Sequence, residues 1–241
     1  MISSRKDSMI KYFDKTYSKE NSYREQLDGL TSKYKLNKYL NVFFSSLKLD
    51  KDKIRILELG AGDGEVSLLI NKKKKFESYV ATEYSFDGVK RLKEKGFQSL
   101  QMSAMNIGFK DNSFDVVVAF DVMHHVDNPG KMAKEILRVT NKSFLLIEAN
   151  GACIIRKLLE KKKDYKEANE NSYLPSKYKS FFPLEKIKKI RLKPFMFIPP
   201  RIPKALFNLS VAFSELTESI PIFKWQSGCL LIYGEKKNDK K

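Results

Sequence analysis

Cysteine is nearly absent from this sequence: Cys153 and Cys229 are the only two in 241 residues. Two separated cysteines make neither a disulfide framework nor a CxxC metal pattern. There is one tryptophan, and His124 and His125 are the only histidines. No apolar run approaches the roughly 18–20 residues that a membrane span needs, and the first residues lack the apolar stretch of a secretory signal. No Gly-Lys-Ser/Thr occurs, which excludes a Walker A loop. These absences set the expectation of a soluble, cytoplasmic protein built as one domain. What is there agrees with that: 42% hydrophobic and 12% aromatic residues supply a sizeable core and exclude wholesale disorder.

Arginine is also scarce. The net charge of +17 comes from lysine, which outnumbers arginine 38 to 8. Lysine is a hydrated point charge, whereas nucleic-acid recognition favours the planar guanidinium fork. Residues 151–241 carry a net +11 and residues 1–150 a net +6, so the excess lies towards the C-terminus. Generic surface charge and an anionic partner both remain open readings.

The first fifty residues read as helical and aromatic-rich, with Tyr12, Phe13, Tyr17 and Tyr23. Over 33–48, Leu36, Tyr39, Leu40, Phe43 and Leu47 recur at helical spacing. Short apolar runs then come at 54–59, 79–82, 97–102, 114–120 and 144–147, separated by charged helical stretches at 64–75, 86–95 and 129–140. Nearly continuous apolar strands between helices predict a parallel sheet covered on both faces. Beyond Asn150 the spacing predicts a basic helix over 151–163, a polar loop over 164–175, a short helix near 176–182 and an extended stretch 187–198 ended by Pro199-Pro200. Leu206, Leu209, Phe213, Leu216 and Ile220 then fall on one helix face. The segment 228–235, GCLLIYGE, reads as the final strand, and the tail 236–241 reads as frayed.

The most informative segment runs from a buried strand into Gly60-x-Gly62-x-Gly64 and then a helix. Glycines at such a turn permit positive φ and close approach of a ligand to the backbone. A tight turn alone would need them too, but Glu83 sits 19 residues beyond Gly64, at the end of the next apolar run. A carboxylate there can accept hydrogen bonds from the hydroxyls of an adenosine ribose. The nicotinamide spacing G-x-G-x-x-G is not met, because Glu65 stands at its last position. An adenosine-bearing ligand without a pyrophosphate is therefore expected.

In combination with segments between residues 79 and 150, this pattern resembles a class I S-adenosylmethionine-dependent methyltransferase of the type 11 methyltransferase domain family. The resemblance covers roughly residues 50–150. Segment 56–67, ILELGAGDGEVS, is similar to the family's first motif, which implies cofactor contacts from Glu58, Gly60, Ala61, Gly62 and Gly64. Glu83, with Tyr84 after it, resembles the ribose-binding acid, and Ser103-Ala104-Met105 the adenine segment. Phe120 and Asp121 open 120–129, FDVMHHVDNP, which is similar to the end of strand four and the loop lining the methionine part. Segments 134–139 and 147–150 resemble the helix before strand five and that strand's end.

The resemblance implies a Rossmann-like three-layer α/β/α sandwich, with a mostly parallel seven-stranded sheet and an antiparallel last strand. Residues 1–50 would form a helical cap and 51–150 the cofactor-binding core. Residues 151–241 would complete the sheet and form the substrate pocket within the same domain. S-adenosyl-L-methionine is the implied cofactor, and no metal is expected. One departure is Ser103, where the family has an acid; a hydroxyl bonds the adenine amino group more weakly than a carboxylate.

Methyl transfer from a sulfonium is an in-line displacement that mainly demands alignment. A hydroxyl acceptor must also lose a proton, and a neutral imidazole suits that task. His124 and His125 are thus candidate general bases, with a purely structural pair as the other reading. Asp121 either lines the methionine end or caps a turn. Tyr12, Phe13 and Tyr17 either close over the cofactor or pack as core. Glu148 and Asn150 are substrate-pocket candidates by position at the strand tip.

No proline-rich run comes after strand four and no motif-placed cysteine nucleophile is present, which disfavours nucleic-acid methylation. Phe181, Phe182, Phe195, Met196, Phe197 and Ile198 among many lysines point to an apolar pocket with a positive rim. That fits a small-molecule, glycan or lipid-type acceptor, with peripheral contact at a membrane as an option. An RNA methyltransferase and a non-catalytic basic binding module on a degenerate fold are the alternatives.

Overall fold

The computed structural model describes residues 2–18, 29–47, 49, 53–198 and 202–237, with backbone alone for 2–9. Tyr23, the Pro199-Pro200 pair and most of the expected frayed tail (238–241) lie outside the described residues.

Two N-terminal helices, α1 (Ile2–Tyr17) and α2 (Gly29–Ser46), precede an alternation of strands and helices. The alternation is β1 (Arg55–Leu59), α3 (Glu65–Lys73), β2 (Ser78–Glu83), α4 (Phe86–Glu94), β3 (Gln98–Gln101), β4 (Phe114–Phe120), α5 (Pro129–Val139) and β5 (Thr140–Ala149). Short helices α6 (Ile154–Leu159), α7 (Lys163–Glu167) and α8 (Pro175–Ser180) lead to β6 (Ile187–Phe195). Helices α9 (Phe207–Ser219) and α10 (Pro221–Lys224) lead to β7 (Cys229–Lys236).

All seven strands join one sheet in the order β3-β2-β1-β4-β5-β7-β6. Pairings among β1 to β5 are parallel, and β7 runs antiparallel to both β5 and β6. The expected fold class, with its antiparallel last strand, is thus the observed one. Strand order reverses between β1 and β4, which opens a crevice at their carboxyl ends.

Period-two alternation explains why the strands read as unbroken apolar runs. Along β4, Val116 and Val118 join one buried cluster with Ile56, Tyr39 and Phe43, while Val117 and Ala119 join the other with Leu57, Ile136 and Leu146. Both faces are covered, so neither needs polar residues. Helix α5 passes directly into β5: Thr140 is the C-cap of the helix and the first residue of the strand, with a register shift between Phe114 and Val116.

Two expectations for the C-terminal third need correction. The basic helix over 151–163 is only α6, and part of the polar loop is itself the helix α7. The apolar stripe of α9 is real, but it does not face the core. Ser214 and Thr217 are the buried residues of this helix, whereas Leu206, Leu209, Phe213 and Leu216 are exposed, Leu209 to 69%.

Candidate active site

The β1–α3 turn places three glycines at positive φ: +63° at Gly60, +57° at Gly62 and +78° at Gly64. At Gly62 the need is also steric, since a Cβ would stand 2.8 Å from the Tyr17 hydroxyl. The bend is tied to the end of β2. Gly62 N–H donates to Glu83 Oε2 at 2.8 Å, and Tyr84 N–H and Ser85 N–H donate to Oε1 at 2.7 and 3.0 Å. A carboxylate offers about four lone-pair positions. Oε1 is therefore filled, and the remaining capacity lies on Oε2, which suits one direct ligand hydroxyl rather than two. Burial raises the Glu83 pKa against the pull of these three donors.

Glu58 sits beneath the bend, not beside the ligand space. It is fully buried and accepts from Ser67 Oγ at 2.5 Å and Tyr79 OH at 2.6 Å. Burial pushes its pKa up to about 7. It braces α3 and β2 against β1, so the cofactor contact expected of Glu58 is not found in this geometry.

After β4 the chain turns sharply at Asp121, whose φ is +56°. Asp121 Oδ2 accepts from Lys35 Nζ and Tyr39 OH, both on α2 and both at 2.8 Å. Burial would raise its pKa, but the Lys35 charge prevails and lowers it. Glu148, fully buried at the end of β5, organises the turn by accepting from Val122, Met123 and His124 N–H groups.

The two histidines differ in kind. His124 is fully enclosed, with Nδ1 2.6 Å from Glu148 Oε2 and Nε2 3.2 Å from Glu170 Oε2. Burial alone would lower its pKa, but Glu170 and Glu148 outweigh it and push it up to about 10. His124 is thus an imidazolium near neutrality and has no lone pair for a substrate proton, which leaves His125 as the candidate base of the two. His125 lines the cleft and places Nδ1 2.7 Å from the Ala168 carbonyl. Nδ1 must carry the proton to donate there, which leaves the Nε2 lone pair open. Burial and the adjacent His124 charge push the His125 pKa down to about 4.

The cleft encloses about 780 Å³ of empty space, part of it open to solvent. Its floor comes from Gly60, Glu83, Tyr84, Asp121 and Val122, and one side from Ser103, Ala104 and Met105. Ile10, Phe13 and Tyr17 of α1 form its roof. Asp14 on α1 accepts from Ser85 Oγ at 2.5 Å, Arg91 Nε donates to the Tyr17 carbonyl at 3.1 Å, and the Phe13 ring meets the His125 ring edge-on at 5.3 Å.

Ala61, Gly62, Gly64 and Phe120 shape the loop and strand end without lining the cleft. Ser103 Oγ accepts from Met105 N–H at 3.3 Å, which holds the 103–105 turn. Asn150 is consumed by carbonyls of Trp225 and Ser227, and Glu148 by the turn, so neither strand-tip residue faces a substrate pocket. Glu170, Lys35 and Arg156 belong to the charge network of the site and carry no local motif that marks them.

A sheet in this order, with a glycine bend and a carboxylate on the wall of one cleft, is the architecture of the class I methyltransferases. Residues 57–147 match the family model of the methyltransferase domain.

Among curated proteins, the uncharacterized methyltransferase YcgJ of Bacillus subtilis is 29% identical over 107 residues, 39% of this chain and 40% of that protein. The chain spans less than two thirds of the length of the curated relatives it matches. Among structures, an S-adenosylmethionine-dependent methyltransferase from Thermotoga maritima superposes with a TM-score of 0.70 at 18% identity, covering 95% of this chain and 100% of that one. The N-methyltransferase NodS of Bradyrhizobium japonicum, in complex with S-adenosyl-L-homocysteine, gives 0.65 at 9% identity, covering 96% and 100%. At these identities the likeness speaks for the fold.

Proposed function

We propose that the chain binds S-adenosyl-L-methionine in this cleft and transfers its methyl group to a small-molecule, glycan or lipid-type acceptor. One observation carries the reading: the bend at 60–64 is joined to the Glu83 carboxylate by a hydrogen bond, and Gly60 and Glu83 line a single cleft. The free capacity of Glu83 Oε2 suits a ribose hydroxyl, and the 103–105 turn suits the adenine. The methionine part then runs towards Asp121. That carboxylate is already matched by Lys35, so it orients the cationic end more than it neutralises it.

The transfer itself needs the acceptor atom, methyl carbon and sulfur in line. For a hydroxyl acceptor the proton goes to His125 Nε2, the lone pair that the Nδ1 to Ala168 hydrogen bond leaves open. His124 stays charged and holds the turn.

The acceptor class is inferred from the outer surface. Helix α9 is fastened by its polar face: Phe197 N–H donates to Ser214 Oγ at 2.9 Å, and Lys38 of α2 pairs with Glu218 at 3.0 Å. Its apolar face is left to solvent, continued by Ile222 (82% exposed), Phe223 and Trp225. Exposed apolar area beside Lys204 and Lys224, in a chain of net charge +17, fits an anionic bilayer surface. The favoured acceptor is therefore a lipid-linked molecule met at that surface. Among the described residues no helix is long and apolar enough to cross a membrane.

The test is transfer of a labelled methyl group from the cofactor into a cell extract, with solvent partition of the product. Label in the organic phase is the expected result. Label confined to nuclease-sensitive material would transfer the reading to RNA.

A further inference from the structure

The histidine pair has a second property that methyl transfer does not use. Both Nε2 atoms face one carboxylate, that of Glu170 in the segment between α7 and α8. The separations are 3.2 Å from His124 Nε2 to Oε2 and 3.8 Å from His125 Nε2 to Oε1. The opposite ring nitrogens are both anchored, His124 Nδ1 on the Glu148 carboxylate and His125 Nδ1 on the Ala168 carbonyl. Metal-ligating imidazoles are held in this way, with one nitrogen on the ion and the other donating to a carboxylate or a backbone carbonyl.

A separate observation points to the same place. His124 Nε2 is fully enclosed and forms no hydrogen bond, although the Glu170 carboxylate is within ion-pair distance. A buried polar nitrogen without an aligned partner is costly unless something else fills the position. The three donor atoms lie within 4.8 Å of one another. Bonds of about 2.1 Å at the tetrahedral angle put neighbouring donors about 3.4 Å apart. The observed 3.2 and 3.8 Å bracket that spacing, and the widest pair needs to close by little more than an ångström.

We propose that His124 Nε2, His125 Nε2 and Glu170 form a binding site for one divalent transition-metal ion, which displaces the Nε2 proton of His124 to solvent while Nδ1 keeps its proton on Glu148. Two imidazoles and one carboxylate suit Zn²⁺ or Fe²⁺ and leave at least one coordination position open, whereas Mg²⁺ and Ca²⁺ prefer oxygen. His125 lines the cleft, which supplies the entry path. Arg156 also binds Glu170 Oε2, so the guanidinium orients the carboxylate and competes with the ion for it, which tempers the affinity. The His125 lone pair serves a proton or an ion, not both. Adjacent histidines have no ligand-spacing signature, and Glu170 sits in a distant loop. The absence of a metal motif in the sequence is therefore no guide here.

Tag-free protein is titrated with Co²⁺ and monitored by visible absorption, then challenged with Zn²⁺. The expected result is one equivalent of Co²⁺ with ligand-field bands, displaced by Zn²⁺, and lost in both His125→Ala and Glu170→Gln. Circular dichroism checks the fold of each variant, and titration with S-adenosylhomocysteine reads cofactor binding independently, so failure of the metal site and failure of the methyltransferase reading are distinguishable. Since these are the only histidines, the native chain alone is decisive should a variant fail to fold. No stoichiometric binding by the native chain overturns the proposal, and so does binding that survives both substitutions.

Discussion

Single carboxylates in this chain do very different work according to what surrounds them. Glu83 is fixed by three backbone donors and keeps acceptor capacity towards the cleft. Glu58, two residues before the bend, meets only Ser67 and Tyr79 and is buried to the point that its pKa rises to about 7. A folded pKa above the ordinary 4.5 means that the native state holds a proton the unfolded chain releases. The associated stability is complete below about pH 4.5 and is lost as pH rises through 7. Glu58→Gln keeps the shape without the titration. Between pH 5 and pH 8 the wild type is expected to lose up to about 3 kcal/mol relative to this variant, measured by denaturant unfolding at each pH. A constant difference across that range would contradict the assignment.

The residue scale is also where the sequence was least legible. Gly60, Gly62, Gly64 and Glu83 stood out because a turn chemistry and a fixed spacing mark them. Glu58 shares the motif but points beneath the loop, and nothing in the motif distinguishes the two carboxylates. Glu170 escaped because its partners, His124 and Arg156, are brought to it only by tertiary folding.

At the scale of elements, periodicity identified α9 but not what its apolar face meets. A stripe at steps of three and four defines a helix face, but the same stripe serves a core or an external apolar phase. Here Ser214, Thr217 and Glu218 face the protein, and the leucines face outwards. Burying a leucine or phenylalanine side chain contributes about 1.5–3 kcal/mol. Replacing Leu209 and Phe213 with Asp is therefore expected to reduce binding to phosphatidylglycerol vesicles at least tenfold. Stability should change by no more than about 0.5 kcal/mol, because neither residue is buried. Vesicle co-sedimentation and thermal melts read the two quantities. Undiminished vesicle binding, or no binding by the wild type, would remove the bilayer from the account. Helix α1 shows the complementary case: Phe13 and Tyr17 do cover the cleft, a placement that aromatic residues on a helix suggest but spacing cannot locate.

For the whole molecule, the sheet was the most legible feature. Five apolar runs separated by helices leave few arrangements other than a doubly covered parallel sheet, and the strand GCLLIYGE completes it between β5 and β6. The position of the cleft is a consequence of that topology, since the reversal of strand order gathers the ends of β1, β2 and β4 under α1. Local sequence could not reveal how the C-terminal segments contribute: the stretch after α7 delivers Ala168 and Glu170 to the histidines, while α9 lies on α2. Helix α2 joins these regions, because Lys35 reaches Asp121 and Lys38, one turn on, reaches Glu218.

The central claim is that Glu83 and the glycine bend together hold the nucleoside of the methyl donor. Calorimetric titration with S-adenosylhomocysteine, on the wild type and on Glu83→Gln, tests it most directly. One site is predicted in the wild type, weakened about ten- to a hundredfold by the substitution, the equivalent of one hydrogen bond to a charged group at about 1.5–3 kcal/mol. Equal affinity in the two proteins, or none in the wild type, would contradict the account.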